Sequence, residues 1–381
     1  MVTLKFVLDQ LLADVPGGIG RYSENLAREV IRRAPEGVGV TGLVAKASED
    51  ELDLLHARFP GIEELRPSRM SRKALAKAWS HGMFTGAFGG GLIHSPSLFA
   101  PLHAPSSGEV NQTVVTVHDT VPWTHPETLT PNGVRWHKAQ LKRAWQFASA
   151  VVTPTHAVAD QIQQIHNFGD RIRVVPGAAS SDVQLPQDEA RIAEIVERFA
   201  LPDQFILAVG TLEPRKGIDR LIQAMADPAL QGAMLIHAGP SGWGDVSIES
   251  LCADAAVDPR RVRSLGFVEN DELAVLYDRA TVFCMPSLDE GFGLPLLEAF
   301  DAGTPAVHTT VPALLEVAGD ATLAVSLDDP STFVSRLARA LANVLSDAEL
   351  RDALALAARD RAPLYSWEYS ADLVWRIHAD L

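Results

Sequence analysis

Short apolar runs alternate with helical patterns along almost the whole chain, and the alternation breaks once, near the middle. In the first half "TLKFVLD", "VGVTGLVA", "GLIHSPS", "TVVTVHD" and "ASAVVTPT" are strand-sized and rich in Val, Ile and Thr. Among them, "GRYSENLAREVIRRA" sets Tyr22, Leu26, Val30 and Ile31 on one helical face, and "GVRWHKAQLKRAWQFA" predicts another helix. The polar stretch "GAASSDVQLPQDEARI", residues 177–192, reads as a linker. The rhythm then restarts. Strands are expected at "QFILAVG", "AMLIHAGP", "VRSLGFV", "TVFCMPS" and "PAVHTT", with helices at "GIDRLIQAMA", "DELAVLYDRA" and "PLLEAFDAG". The remainder is helical and rich in Ala and Leu.

Strands alternating with helices require parallel sheets covered on both faces. Two such blocks predict an α/β protein of two Rossmann-like domains, residues 1–180 and 181–360, with a closing segment at 361–381. Ligands of such sheets gather beyond the carboxyl ends of the strands. The expected arrangement has those ends facing across a cleft.

Charge and cysteine usage narrow the function. Net charge is −15, unevenly spread. Residues 1–180 hold 18 Lys+Arg and 16 Asp+Glu, net +2, and the remainder holds 15 and 32, net −17. That balance argues against nucleic-acid binding, which needs a basic footprint. Apolar runs stop well short of the ~20 residues of a membrane span. The N-terminus reads as a first strand and not as a signal peptide, since Asp9 interrupts its apolar stretch. Cys252 and Cys284 lack metal spacing and read as reduced thiols of a cytoplasmic protein.

Four stretches carry candidate chemistry. In "DVPGGIGRY", Gly18 and Gly20 sit in a loop before a helix, where backbone N–H groups approach an anion; a tight turn explains them equally well. In "VTVHDTVPW", His118 stands at the carboxyl end of a strand, although a lone histidine is more often structural. In "GTLEPRKGIDR", Arg215 and Lys216 place adjacent cations at a strand end beside a helix, a phosphate site or a solvated turn. In "LDEGFGLPLLEAF", Glu290 precedes a helix that Pro295 opens, and Glu298 lies one turn inside it. Gly291 and Gly293 allow close approach, so N–H groups of Phe292, Gly293 and Leu294 would face a ligand beside two carboxylates. A polyhydroxylated, phosphate-bearing guest fits.

Taken together, "EPRKG", "PSLDEGFGLPLLEA", "VHD", "GGIGRY", "GFVENDELAVLYDRA" and "SWEYSA" resemble the retaining glycosyltransferases of family 4, which have the GT-B fold. The resemblance implies that Glu290 holds donor-sugar hydroxyls with the backbone at 291–294, and that Glu298 holds the ribose. It implies that Arg215 and Lys216 grip the diphosphate, and that His118 faces the transferred sugar from the other domain. Gly18 and Gly20 would let the first loop approach donor and acceptor. Many members carry an arginine where this chain has Thr211, which leaves that charge to Arg215. The last helix is expected to cross back to the first domain.

The donor implied is a nucleotide diphosphate sugar, with GDP-mannose favoured by the "EPRK" wording and a UDP-sugar the alternative. No Asp-x-Asp pattern is evident, so no obligatory metal or other cofactor is expected. The acceptor would be a glycan or a lipid-linked sugar. "RPSRMSRKALAKAW", residues 66–79, interleaves Arg66, Arg69, Arg72, Lys73 and Lys77 with apolar residues. It is a candidate contact with anionic membrane at the inner face, or a solvated helix. A glycoside hydrolase, a non-catalytic sugar-nucleotide sensor and a dinucleotide-dependent oxidoreductase are the competing readings. The oxidoreductase lacks a full glycine fingerprint, because Ser23 takes the third position.

Overall fold

The computed structural model describes residues 2–13, 17–83, 90–104, 111–242 and 247–381. The chain divides into two compact units, Met1–Gly177 with Ser366–Leu381, and Ala178–Tyr365. Among the described residues the first unit holds a seven-stranded sheet. Its strands are β1 (Val2–Val7), β2 (Val38–Val44), β3 (Glu64–Pro67), β4 (Gly91–Ser95), β5 (Asn111–Thr116), β6 (Ala150–Thr153) and β7 (Ile172–Val174). All pairs are parallel, in the order β3-β2-β1-β4-β5-β6-β7. The second unit repeats the plan with β8 (Ile206–Val209), β9 (Leu235–Ala238), β10 (Val262–Ser264), β11 (Val282–Met285), β12 (Ala306–Thr309) and β13 (Leu323–Val325). Their order is β10-β9-β8-β11-β12-β13, again parallel.

In each sheet the order reverses once, between β1 and β4 and between β8 and β11. Connections from the two flanking strands leave in opposite directions there, which opens a crevice at the carboxyl ends. Apolar residues fill the layers on either side. In the second unit Ile206, Leu221, Cys284, Val307 and Leu337 belong to one buried cluster. Both cysteines are free and buried.

The closing helix Trp367–Asp380 belongs to the first unit. Trp367 meets Tyr22 edge-on at 5.4 Å, and Ser370 Oγ donates to Pro176 O at 2.7 Å. Arg33 and Asp372 pair at 2.6 Å. At its far end His378 Nε2 lies 3.3 Å from His94 Nδ1 on β4, both side chains buried.

Two local readings change. The helix after β1 spans Gly17–Arg32, so Gly18 and Gly20 occupy its first turn and not a loop before it. Gly17, with φ of 61°, makes the left-handed step that starts the helix early. Asp14, Val15 and Pro16 of that stretch lie outside the described residues. The linker also ends sooner than expected, because Asp188 caps a helix over Glu189–Arg198 through Ala190 N–H.

Candidate functional site

Two loops meet at the β8/β11 reversal. After β8 the chain makes a 3-10 turn, Pro214–Lys216, and steps through Gly217 with φ of 66° into the helix Ile218–Ala224. A Cβ added to Gly217 would stand 2.1 Å from Pro286 O, so only glycine lets the loop lie against the loop after β11. Leu288 N–H donates to Arg215 O at 2.8 Å, and Arg215 Nη1 donates to Asp289 O at 2.8 Å. These bonds hold residues 74 positions apart in one constellation.

At its centre Glu290 is 8% exposed and faces both cations. Lys216 Nζ lies 2.6 Å from Oε1 and Arg215 Nη1 lies 3.3 Å from Oε2. Ser287 Oγ donates to Oε1 at 2.8 Å, and Thr309 Oγ1 in turn donates to Ser287 O. Burial by itself would raise the Glu290 carboxyl. The charges of Lys216 and Arg215, with the hydrogen bonds from Lys216 and Ser287, outweigh it and bring the group down to about 2. Paired with these two cations, Glu290 is ionised at neutral pH and carries no proton to donate.

The helix Leu294–Asp301 starts at Leu294, which puts Pro295 at its second position and not its first. Gly293 caps it with φ of 108°. Among the described residues no backbone acceptor takes the N–H groups of Phe292, Gly293 or Leu294. Phe292 is buried and meets Tyr365 edge-on at 6.0 Å. Glu298 is 3% exposed, and Tyr277 OH donates to its Oε2 at 3.0 Å. Tyr277 is itself fixed, since Thr304 Oγ1 donates to its carbonyl at 2.7 Å.

In the first unit His118 follows β5. Its Nε2 lies 2.7 Å from Pro96 O and its ring meets Tyr22 edge-on at 4.8 Å. A carbonyl only accepts, so Nε2 carries the proton. Burial holds the imidazole below its ordinary value, against the pull of Pro96 O and Asp119. The neutral ring keeps Nδ1 as an acceptor.

Sequence relatives settle the family. Residues 16–182 match the family described as Glycosyltransferase Family 4, and residues 192–361 match Glycosyl transferases group 1. Over 282 residues the chain is 31% identical to the O-antigen chain mannosyltransferase B of Escherichia coli, spanning 73% of this chain and 71% of that one. This chain belongs to the family 4 glycosyltransferases. Membership makes it a hexosyltransferase. Sucrose-phosphate synthase from Thermosynechococcus elongatus superposes with a TM-score of 0.75 at 22% identity, covering 100% of this chain and 99% of that one. HepE of Anabaena, solved with UDP-glucose, gives 0.73 at 16% identity over 100% of both chains. Those two likenesses show the fold, which is GT-B.

Within this glycosyltransferase Arg215, Lys216 and Glu290 come together, Glu298 joins Tyr277, and His118 belongs to the other unit. Sequence reasoning assigned Glu290 and the two cations to different parts of a ligand; here they pair with one another. It missed Tyr277, Ser287 and Thr309. A tyrosine on the apolar face of "DELAVLYDRA" is the one signal that pointed there, because a buried phenol needs a partner.

The basic stretch 66–79 also reads differently. Ser71 caps a helix over Arg72–Ser80 whose Leu75 and Trp79 are buried in the first unit's core, with Met70 packed against them. The apolar side is therefore spent inward. Arg66 pairs with Glu64 at 2.8 Å, and Arg72 contacts Asp9 at 2.9 Å. Arg69, Lys73 and Lys77 are exposed. Among the described residues no helix is long and apolar enough to cross a membrane, and no group of three metal-ligating side chains occurs.

Proposed function

We propose that the enzyme transfers mannose from GDP-mannose, with retention at the anomeric carbon, to a glycan or lipid-linked acceptor. The observation that carries the donor reading is the pairing of Lys216 and Arg215 with Glu290 at the sheet reversal. A diphosphate is a better partner for these cations than one carboxylate, because it offers more charge and more acceptor oxygens. On donor binding the cations turn to the diphosphate, which frees Glu290 to accept hydrogen bonds from sugar hydroxyls. The N–H groups of Phe292, Gly293 and Leu294 add fixed donors. Glu298, with one oxygen held by Tyr277, is the ribose reader.

In the reaction the acceptor hydroxyl oxygen bonds the anomeric carbon as the bond to the diphosphate oxygen breaks. The hydroxyl proton passes to the leaving diphosphate. Negative charge grows on that group, and Lys216 and Arg215 stabilise it. No metal is required for this step. Arg215 is also committed to Asp289 O, so Lys216 is the more available charge.

Mannose is favoured by the Escherichia coli relative named as a mannosyltransferase, and UDP-sugars stay in play through the Anabaena neighbour. A hydrolase would leave the two cations beside Glu290 without a partner in its substrate, whereas a diphosphate supplies one. Membrane contact, if the acceptor is lipid-linked, rests on the charges of Arg69, Lys73 and Lys77 and not on inserted apolar residues. Turnover of GDP-mannose, UDP-glucose and ADP-glucose, followed by nucleoside diphosphate release and NMR of the product anomer, tests this reading. Release of GDP with an α-linked product is expected; an inverted product, or cleavage of an aryl glycoside without any nucleotide sugar, contradicts it.

A further inference from the structure

The carboxyl end of β1 carries a second constellation that the donor reading leaves unused. Asp9 follows β1 and is 2% exposed. Its Oδ1 accepts the Ala45 N–H at 2.8 Å, at the end of β2. Its Oδ2 lies 2.9 Å from Arg72 Nε without the direction of a hydrogen bond, so the contact is ionic. Arg72 Nη2 donates to Gln10 Oε1 at 2.6 Å, and the guanidinium carbon stands 5.5 Å from the Phe99 ring centroid. A guanidinium is thus held on three sides while 41% of its side chain stays exposed. Burying a carboxylate costs several kcal/mol unless it is paired. Asp9 therefore commits Arg72 to one orientation. Among the described residues Arg72 Nη1, with two N–H donors, has no partner.

The place is one where ligands bind. β1 and β4 flank the reversal of the first sheet. The loop after β4 serves both sides of it, since Pro96 O meets His118 and Phe99 lies under Arg72. Ser95 Oγ fixes that loop by donating to Phe99 O at 2.9 Å. Two residues separate the two anchors, so three Cα steps of at most about 11 Å of extended chain join them. The charge around it is one-sided along the chain. From Arg66 to Gly108 there are five cations and no acid. A guanidinium offers donors only, so its complement is an oxyanion and not a hydroxyl that must also donate.

We propose that Arg72, preset by Asp9, Gln10 and Phe99, is an acceptor-side site for a phosphate group. This rests on the transferase reading, and it makes the acceptor anionic. Two sources share that chemistry: a phosphate joining a glycan to its carrier, and a phospholipid headgroup.

The test titrates the full chain with inorganic pyrophosphate while saturating GDP occupies the donor site. Arg72→Gln is expected to weaken pyrophosphate binding at least about tenfold, the loss of one or two charge-assisted hydrogen bonds. Arg72→Lys keeps a charge opposite Asp9 and should recover only part, because the fork is lost. Lys142→Gln, an exposed lysine on another helix of the first unit, should leave binding unchanged. No loss in Arg72→Gln, or an equal loss in Lys142→Gln, overturns the proposal. Co-sedimentation with phosphatidylglycerol vesicles separates the sources. Vesicle binding lost together with pyrophosphate in Arg72→Gln identifies a headgroup; vesicle binding kept identifies a discrete acceptor phosphate. Vesicle binding lost while pyrophosphate binding is intact overturns the site. GDP binding is read in its own titration, so its absence would sink the donor reading and leave the Arg72 result standing.

Discussion

Replacing Glu290 by Gln removes the charge at the centre of the proposed donor site and keeps its shape. In the folded chain this carboxyl is brought from 4.5 to about 2, with Lys216, Arg215 and two hydrogen bonds outweighing burial. Each unit is worth 1.36 kcal/mol, so the ionised group contributes on the order of 3 kcal/mol at neutral pH. For a unit of this size that is a fall in Tm of about 6–12 °C. The sign follows from a depressed carboxyl. Its contribution is complete above about pH 4.5 and fades as pH falls toward about 2. Thermal unfolding of wild type and Glu290→Gln at pH 7 and pH 3 measures it. The gap should be about 3 kcal/mol at pH 7 and about 1 kcal/mol at pH 3. Saturating GDP should narrow the gap at pH 7, because the diphosphate gives the two cations a new partner. A gap that does not change with pH, or no gap at all, would refute the pairing as the source of the shift.

Other consequences are as direct. Glu290→Ala and Lys216→Ala should each cut transfer at least ~100-fold, by analogy with losing one stabilising group, and near-normal turnover on the true acceptor would remove the assignment. Tyr277→Phe should weaken nucleoside diphosphate binding by roughly three- to tenfold, the worth of one hydrogen bond, and should reduce discrimination against the 2′,3′-dideoxy analogue; unchanged calorimetry would deny Tyr277 its hold on Glu298. His94 and His378 are both held below the ordinary imidazole value by burial, His378 at about 4. Unfolded imidazoles protonate first, so the first unit should lose stability as pH drops from about 6.5 toward 4, and His378→Asn should flatten that slope in acid-unfolding curves.

Much of this is legible in the sequence. Periodicity located β1, β2, β4, β5 and β6 and five of the second-unit strands, because Val, Ile and Thr runs of that length leave little choice. β3 reads "ELRP", and β7 and β13 have three residues each, too few for a periodic signal; β10 is as short, but its pattern continues past its end in "VRSLGFV". Arg215, Lys216 and Glu290 were each found from their own loops. Their mutual pairing was not, because Lys216 and Glu290 stand 74 positions apart and meet only where β8 and β11 are neighbours. Local spacing carries no information on strand order. The glycine stretch was misread for a related reason, since one left-handed residue at Gly17 moves a helix start by three positions. The inward packing of Leu75 and Trp79 belongs to the same class, being decided by a core that the segment itself does not contain.

The central claim is that Lys216 and Arg215 exchange Glu290 for a donor diphosphate. Calorimetric titration of the full chain with GDP, UDP and ADP, repeated on Lys216→Ala, tests it most directly. A nucleoside diphosphate is expected to bind, GDP most tightly, and Lys216→Ala to weaken it at least about tenfold. Failure of all three to bind, or equal affinity in the variant, would contradict it.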